Sequence, residues 1–113
     1  MKLAEPFPEF VKNLPEIELP VPGARGWMMQ SEGQQVVFAR FDETVDVPEH
    51  SHSEQWEFAL DGRVDLKMDG QVLTHTAGEN FYIPAGKPHG ATVHAGYRAM
   101  MVFNEPDRYK PKV

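Results

Sequence analysis

Apolar and polar residues alternate along most of this chain, beginning near residue 26. In the segment 63–68, for example, Val64, Leu66 and Met68 are separated from one another by single charged residues. Side chains of a strand point to opposite faces in turn, so this pattern predicts strands that each bury one face. The predicted strands occupy the segments 27–30, 35–41, 45–47, 55–60, 63–68, 71–76, 80–83, 91–94 and 97–103.

Glycine or proline separates nearly all of these segments. Asp69-Gly70 is the strongest hairpin signal, because a type I′ turn needs positive φ angles and glycine adopts them readily. Short strands at a spacing of roughly 8–12 residues, without a long amphipathic helix, are typical of a β-sandwich or a jelly-roll barrel. The predicted fold is therefore all-β.

The two ends of the chain do not follow this alternation. Residues 1–25 contain five prolines and are predicted to form an extended arm with one short helical turn at 8–13. Apolar residues such as Phe7, Phe10 and Ile17 predict that the arm packs against the barrel or against a second subunit. Residues 105–113 are predicted to form an irregular tail, which leaves a single domain with its barrel in 26–104.

Composition and charge exclude several classes of function. The chain has 113 residues and a net charge of −6, without a run of basic residues, so it lacks the basic face that nucleic-acid binding needs. It contains no cysteine, which excludes disulfides and thiolate metal sites. Neither a signal peptide nor an apolar run of the ~20 residues needed to cross a membrane is recognisable. We therefore expect a cytoplasmic protein without a membrane partner.

Three histidines are candidates for a metal site. His50 and His52 are one residue apart and point to the same face of an extended segment, and His89 follows a Pro-x-Gly turn. If the three imidazoles converge, they can bind a transition metal through nitrogen, with an oxygen ligand completing the site. The remaining two histidines, His75 and His94, are predicted to lie at the surface or to form hydrogen bonds.

These residues resemble the two sequence motifs of the cupin family, whose members are small jelly-roll barrels. The first motif is an H-x-H pair, an acidic or amide ligand and a glycine, and His50, His52 and Gly62 match its fixed positions. The second motif is matched by Gly78, Pro84, Gly86 and His89, whereas Val93 occupies a position that is often asparagine. The resemblance implies a divalent metal, with Fe, Mn, Ni, Zn and Cu all compatible with such ligands.

The remaining ligand of the first motif is ambiguous between Gln55 and Glu57. The spacing from His52 favours Glu57, whereas the spacing to Gly62 favours Gln55. The sequence around them is similar to that of a cupin subgroup with a glutamine ligand. We therefore predict His50, His52, Gln55 and His89 as ligands, with Glu57 as the alternative ligand or as an acid/base in the cavity.

Arg40 and Tyr82 are further candidates for the site. Either side chain could reach the mouth of the pocket, where arginine would bind a carboxylate and tyrosine would donate a proton. Strand parity does not fix the direction of either side chain. A surface arginine and a packed tyrosine, neither with a role in the site, are therefore an equally good interpretation. Both residues are retained as catalytic candidates together with Glu57.

The resemblance implies a metal-dependent enzyme that acts on a small oxygen-rich molecule, because isomerases, lyases, epimerases and dioxygenases occur in the family. Cupins that linearise unsaturated uronates use a similar His, His, Gln and His set, which makes them one candidate. The alternative is a non-catalytic small-molecule-binding protein or sensor with a structural metal. We also predict a homodimer formed through the N-terminal arm and an edge strand, since pairing would cover exposed sheet edges.

Overall fold

The computed structural model describes residues 7–112, so the first six residues of the predicted arm and residue 113 lie outside the described part of the chain. One short helix and ten strands follow one another: α1 (Glu9–Lys12), β1 (Glu16–Ile17), β2 (Ala24–Gln30), β3 (Gln35–Phe41), β4 (Val45–His50), β5 (Gln55–Asp61), β6 (Arg63–Met68), β7 (Gln71–Thr76), β8 (Asn80–Ile83), β9 (His89–Val93) and β10 (Arg98–Phe103).

The strands form two antiparallel sheets. The larger sheet has the order β1-β2-β3-β10-β5-β8, and the smaller has the order β4-β9-β6-β7. Residues of both sheets contribute to one buried apolar cluster, which includes Val37 and Met101 from the larger sheet and Val64 and Val93 from the smaller. This arrangement confirms the predicted all-β jelly roll.

Alternating burial along β3 shows why its residues form a strand of this sheet. Val37, Ala39 and Phe41 are buried in the core, whereas Val36, Phe38 and Arg40 on the opposite face are partly exposed. The β-branched and aromatic residues of this strand suit a half-buried pleated surface. The period-2 pattern in the sequence therefore corresponds directly to the inner and outer faces of the barrel.

Two turns depend on their glycines. The β6–β7 connection places Asp69 at φ 57° and Gly70 at φ 73°, as expected of the predicted type I′ hairpin. Gly62 has φ 76°, and a Cβ atom added there would lie 2.8 Å from the backbone of Tyr97. A side chain at position 62 would therefore push the β5–β6 turn away from the start of β10.

The described part of the N-terminal segment packs on the barrel of its own chain. Phe7 and Val11 contact Trp27 in a small cluster on the outer face of the larger sheet. Further along, Ile17 of β1 belongs to the core between the sheets, and β1 pairs with β2. The short helical turn predicted at 8–13 corresponds to α1.

The C-terminal segment after β10 is held against the barrel by Gln35, which is 0% exposed. The Gln35 side-chain amide donates to the carbonyl oxygens of Pro106 and Tyr109, both at 2.8 Å, and its Oε1 accepts the Tyr109 backbone N–H at 2.9 Å. An isolated bridge also pairs Ile17 with Pro111. The segment is irregular but has a defined position over one end of the barrel. In the described range, no helix is long and apolar enough to cross a membrane.

Candidate metal centre

The three predicted histidine ligands lie close together at one end of the barrel. His50 ends β4 and His89 begins β9, and the two residues are directly paired in the smaller sheet. His52 lies in the connection between β4 and β5. One ligand nitrogen from each residue can be chosen so that all three lie within 4.8 Å of one another, which brings them to a spacing suited to one metal ion.

Backbone carbonyls fix the direction of all three imidazole rings. The Nδ1 atoms of His50 and His89 are each 2.8 Å from a carbonyl oxygen, of Pro48 and Lys87 respectively, and Nδ1 of His52 is 2.6 Å from that of Ser53. Because a carbonyl oxygen only accepts, each Nδ1 carries the proton and each Nε2 keeps its lone pair. Metal-binding histidines are commonly oriented in this way. The donor set therefore fits a divalent transition metal.

Burial also keeps two of these imidazoles neutral. Removal from water lowers the pKa of His52 to about 4 and lowers that of His89, with the positive charge of Arg108 adding to both effects. A neutral imidazole is the form that binds metal, so the pocket holds both rings ready at neutral pH.

Gln55 and Glu57 point into the same cavity from the inner face of β5, where they are 7% and 5% exposed. The Gln55 amide donates to Glu57 Oε1 at 2.7 Å, and the Tyr97 hydroxyl donates to Glu57 Oε2 at 2.5 Å. With its amide nitrogen bonded to Glu57, Gln55 has Oε1 as its remaining polar atom, and an amide oxygen is a suitable metal ligand.

The Glu57 carboxyl has an unusual protonation equilibrium. Burial raises its pKa to about 7, although the hydrogen bonds from Tyr97 and Gln55 favour the charged form and oppose that shift. Burial and the neighbouring carboxylate likewise raise the pKa of Tyr97, which therefore stays a hydrogen-bond donor. Glu57 is thus a buried group that can hold or release a proton near neutral pH.

The histidines, Gln55 and Glu57 line a cavity of about 150 Å³ between the two sheets. Most of its wall is apolar, with side chains such as Val47, Val64 and Phe81. The two chain ends also contribute to it: Leu19, Pro20 and Val21 from the N-terminal segment, and Arg108 and Tyr109 from the C-terminal segment.

Two polar residues of this cavity, Tyr97 and Arg108, were not predicted from the sequence. Tyr97 shares its parity with the buried residues Ala99, Met101 and Phe103 of β10, so the alternation of that strand could have placed it on the inner face. No comparable pattern marks Arg108, because it lies in an irregular segment whose position depends on contacts with the distant Gln35.

Arg40 and Tyr82 do not line the cavity. Tyr82 is 52% exposed, and its hydroxyl donates to the Glu54 carboxylate on the outer face of the larger sheet. Arg40 lies on the outer face of β3 and forms an ion pair with Asp42 at 3.4 Å. Of the histidines outside the triad, His75 stacks on Phe81 and His94 lies 2.8 Å from an Asp65 carboxylate oxygen.

A family model described as the cupin domain matches residues 31–103, which is more than half of the chain. The chain belongs to the cupin family. This cupin has no significant match among the curated proteins searched.

Solved structures share the fold of this cupin. An RmlC-like cupin from Shewanella frigidimarina is 27% identical, with a TM-score of 0.74 and 96% of each chain covered. KdgF from Halomonas sp. is 18% identical, with a TM-score of 0.68, over 80% of this chain and 87% of that one. Oxalate decarboxylase from Bacillus subtilis, a protein with Mn(II) centres, is 22% identical, with a TM-score of 0.59, over 75% of this chain and 26% of its own.

Proposed function

We propose that this cupin is a metal-dependent enzyme that acts on a small oxygen-containing molecule in the barrel. The observation behind this proposal is the set of three imidazoles whose Nδ1 atoms are bonded to carbonyls, so that their Nε2 lone pairs are free for one metal. The proposed ligands are His50, His52, His89 and Gln55, with Glu57 as the alternative to Gln55.

A metal in this site would act as a Lewis acid toward an oxygen of the substrate. The chain itself supplies the groups around the reacting molecule. Glu57 lies in the cavity wall, where it can take a proton from the substrate or return one, and the Tyr97 hydroxyl and Gln55 amide hold its carboxylate in place. The apolar part of the wall offers water few hydrogen-bond partners in the same space.

Isomerase, lyase and dioxygenase chemistry are all compatible with such a centre, and the linearisation of an unsaturated uronate is one candidate. The shared fold with KdgF and with oxalate decarboxylase supports this range without selecting one reaction. Arg40 and Tyr82 are not part of the proposed machinery, because their side chains lie on the outer face of the larger sheet.

The second candidate is a non-catalytic binding protein or sensor with a structural metal. The largely apolar wall of the cavity favours it, because a mostly apolar pocket with a few placed polar groups is also how proteins bind small molecules without reacting with them. The predicted homodimer and the predicted cytoplasmic location stay predictions, and light scattering of the purified protein would test the first.

Stripping and reloading the metal distinguishes these candidates. The protein would be freed of metal with a chelator, reloaded separately with Mn²⁺, Fe²⁺, Ni²⁺, Zn²⁺ or Cu²⁺, and assayed for turnover of unsaturated uronates and small carboxylic acids. We expect turnover in a metal-loaded form and its loss in Glu57→Gln with the metal retained, whereas Tyr82→Phe is the matched control outside the cavity. Ligand binding without turnover in every metal form would favour the sensor, and failure to bind any metal would refute both.

A further inference from the structure

Arg108 places a positive charge at the cavity wall. It is partly buried and lines the cavity together with the three histidines. Its Nε atom is buried and has no hydrogen-bond partner. Among residues 7–112, none of the carboxylates forms an ion pair with it. A partly buried guanidinium whose Nε makes no hydrogen bond has unused donor capacity, so its position suggests a binding function.

Aromatic rings and the anchored C-terminal segment fix where this guanidinium lies. Its central carbon is 5.8 Å from the ring centre of Phe103 and 5.1 Å from that of Tyr109. Both distances fall within the range of cation–π contact, which restrains the side chain. The hydrogen bonds from Gln35 to the backbone of Pro106 and Tyr109 hold the segment that carries it. Arg108 is therefore placed by the fold at the cavity wall.

An arginine in this position selects for a carboxylate. Its planar fork of N–H groups matches the two oxygens of a carboxylate, and the pairing is strongest where water is excluded. The chain as a whole has a net charge of −6 and repels anions, so a bound carboxylate needs a local cation.

The remaining walls of the cavity select for an apolar body. Leu19 and Val21 contribute from the N-terminal segment, and Val64, Phe81 and Val93 contribute from the two sheets. The cavity volume of about 150 Å³ equals that of an engineered apolar cavity that binds benzene. Hydroxyl groups of a sugar acid that face these apolar walls, and not the histidines, Gln55 and Glu57, would lack hydrogen-bond partners, which is unfavourable.

We propose that the ligand of this cavity is a small carboxylic acid with an apolar body about the size of a benzene ring, and that Arg108 binds its carboxylate. This inference rests on the proposed function in that it concerns the same cavity, and it narrows the substrate class. It favours an apolar acid over a uronate. Arg108 acts here as a specificity-determining residue.

Isothermal titration with three matched probes tests the proposal. Benzoate has both the ring and the carboxylate, benzyl alcohol has the ring alone, and glucuronate has the carboxylate on a polar body. Each would be titrated into the metal-free protein and into the Zn²⁺-loaded protein, with the metal content measured separately. Because the Arg108 contact does not depend on the metal, we expect benzoate to bind best of the three in both forms.

Variants at position 108 identify the group responsible. Arg108→Gln should weaken benzoate binding by about tenfold to a hundredfold, as expected for loss of hydrogen bonds to a charged group, and should remove the preference over benzyl alcohol. Arg108→Lys keeps the charge without the fork and should fall between. Arg25→Gln removes an arginine that is paired with Glu16 outside the cavity, so benzoate affinity should stay within about twofold of wild type. Thermal unfolding would show that each variant is folded.

Three results would overturn the proposal: unchanged benzoate affinity in folded Arg108→Gln, glucuronate binding as tightly as benzoate, or benzoate binding that vanishes without Zn²⁺. The last result would mean that the metal and not Arg108 holds the carboxylate. A protein that binds no Zn²⁺ but still prefers benzoate through Arg108 would refute the proposed metal site and leave this inference standing.

Discussion

The cavity contains two groups of polar side chains that are held in place by different means. The imidazoles of His50, His52 and His89 are oriented by backbone carbonyls that lie one or two residues away in the sequence. Gln55 and Glu57 are oriented by each other and by Tyr97, which is 40 residues from Glu57 and directly precedes β10. The histidine group therefore depends on local backbone geometry, whereas the Gln55–Glu57–Tyr97 network depends on the pairing of distant strands.

Burial shifts the pKa values of the two groups in opposite directions. It lowers the pKa of His52 and raises the pKa of Glu57, because in each case the charged form is the one that loses solvation. Both groups are thereby moved toward neutrality. A metal would restore positive charge between them, and the Gln55–Glu57–Tyr97 network is the part of the cavity that can respond by releasing a proton.

Removing one imidazole should have the largest effect. His52→Ala or His89→Ala leaves two histidine ligands, and we expect the bound metal to fall to less than about a tenth of an equivalent after dialysis, since a site with too few ligands loses most of its affinity. Elemental analysis of the purified variants measures this. His94→Ala, which changes a histidine paired with Asp65 outside the cavity, is the matched control and should keep its metal. Stoichiometric metal in His52→Ala would show that the proposed site is wrong.

Neutralising Glu57 should change how the stability of the metal-free protein depends on pH. The folded pKa of about 7 lies above the ordinary value of 4.5, so between these values the native state holds a proton that the unfolded chain has released. Glu57 therefore makes the protein less stable as pH rises through this window, by at most about 3 kcal/mol. His52 acts in the opposite direction, because its folded pKa of about 4 lies below 6.5 and its burial is unfavourable at low pH.

Urea unfolding at several pH values separates these two contributions. Glu57→Gln removes the contribution of Glu57 and keeps that of His52. The free energy of unfolding of this variant should therefore increase relative to that of wild type as pH rises from 4.5 to 7. Tyr97→Phe removes a donor to the Glu57 carboxylate, which raises the pKa of Glu57 further and extends the decline to higher pH. Parallel curves for wild type and Glu57→Gln would mean that Glu57 is not a buried carboxyl with a raised pKa.

The same contrast explains how much the sequence predicts. The alternation of apolar residues places most strands to within a few residues, and motif spacing identifies the three histidines that converge. Both features are local, since strand periodicity and the His-x-His pair are patterns of neighbouring residues in the sequence. The two-residue strand β1 was not predicted, because it forms only by pairing with β2 and has too few residues to show a period.

Strand boundaries and contacts between distant residues were harder to predict from the sequence. β4 extends to His50 and β9 begins at His89 because these two residues pair with each other across the sheet, which no local pattern reveals. The partner of Glu57 and the position of Arg108 depend likewise on tertiary contacts, through Tyr97 and Gln35. The outward direction of Tyr82 follows from its register opposite Trp56, which is fixed only once β5 and β8 are paired.

The smallest expected effect concerns Gln55, which connects the two groups. Its hydrogen bond places it with Glu57, whereas its proposed role as a metal ligand places it with the histidines. Gln55→Ala removes the amide oxygen and should weaken metal binding by about tenfold more than Glu57→Ala does, if Glu57 acts only through its contact with Gln55. Competition with a chelating dye would measure both affinities. Glu57→Gln is the matched control, because it keeps a side chain of the same size beside Gln55 and should lose less affinity than Glu57→Ala. The reverse order, with Glu57→Ala the weaker binder, would assign Glu57 as the fourth ligand and leave Gln55 to orient it.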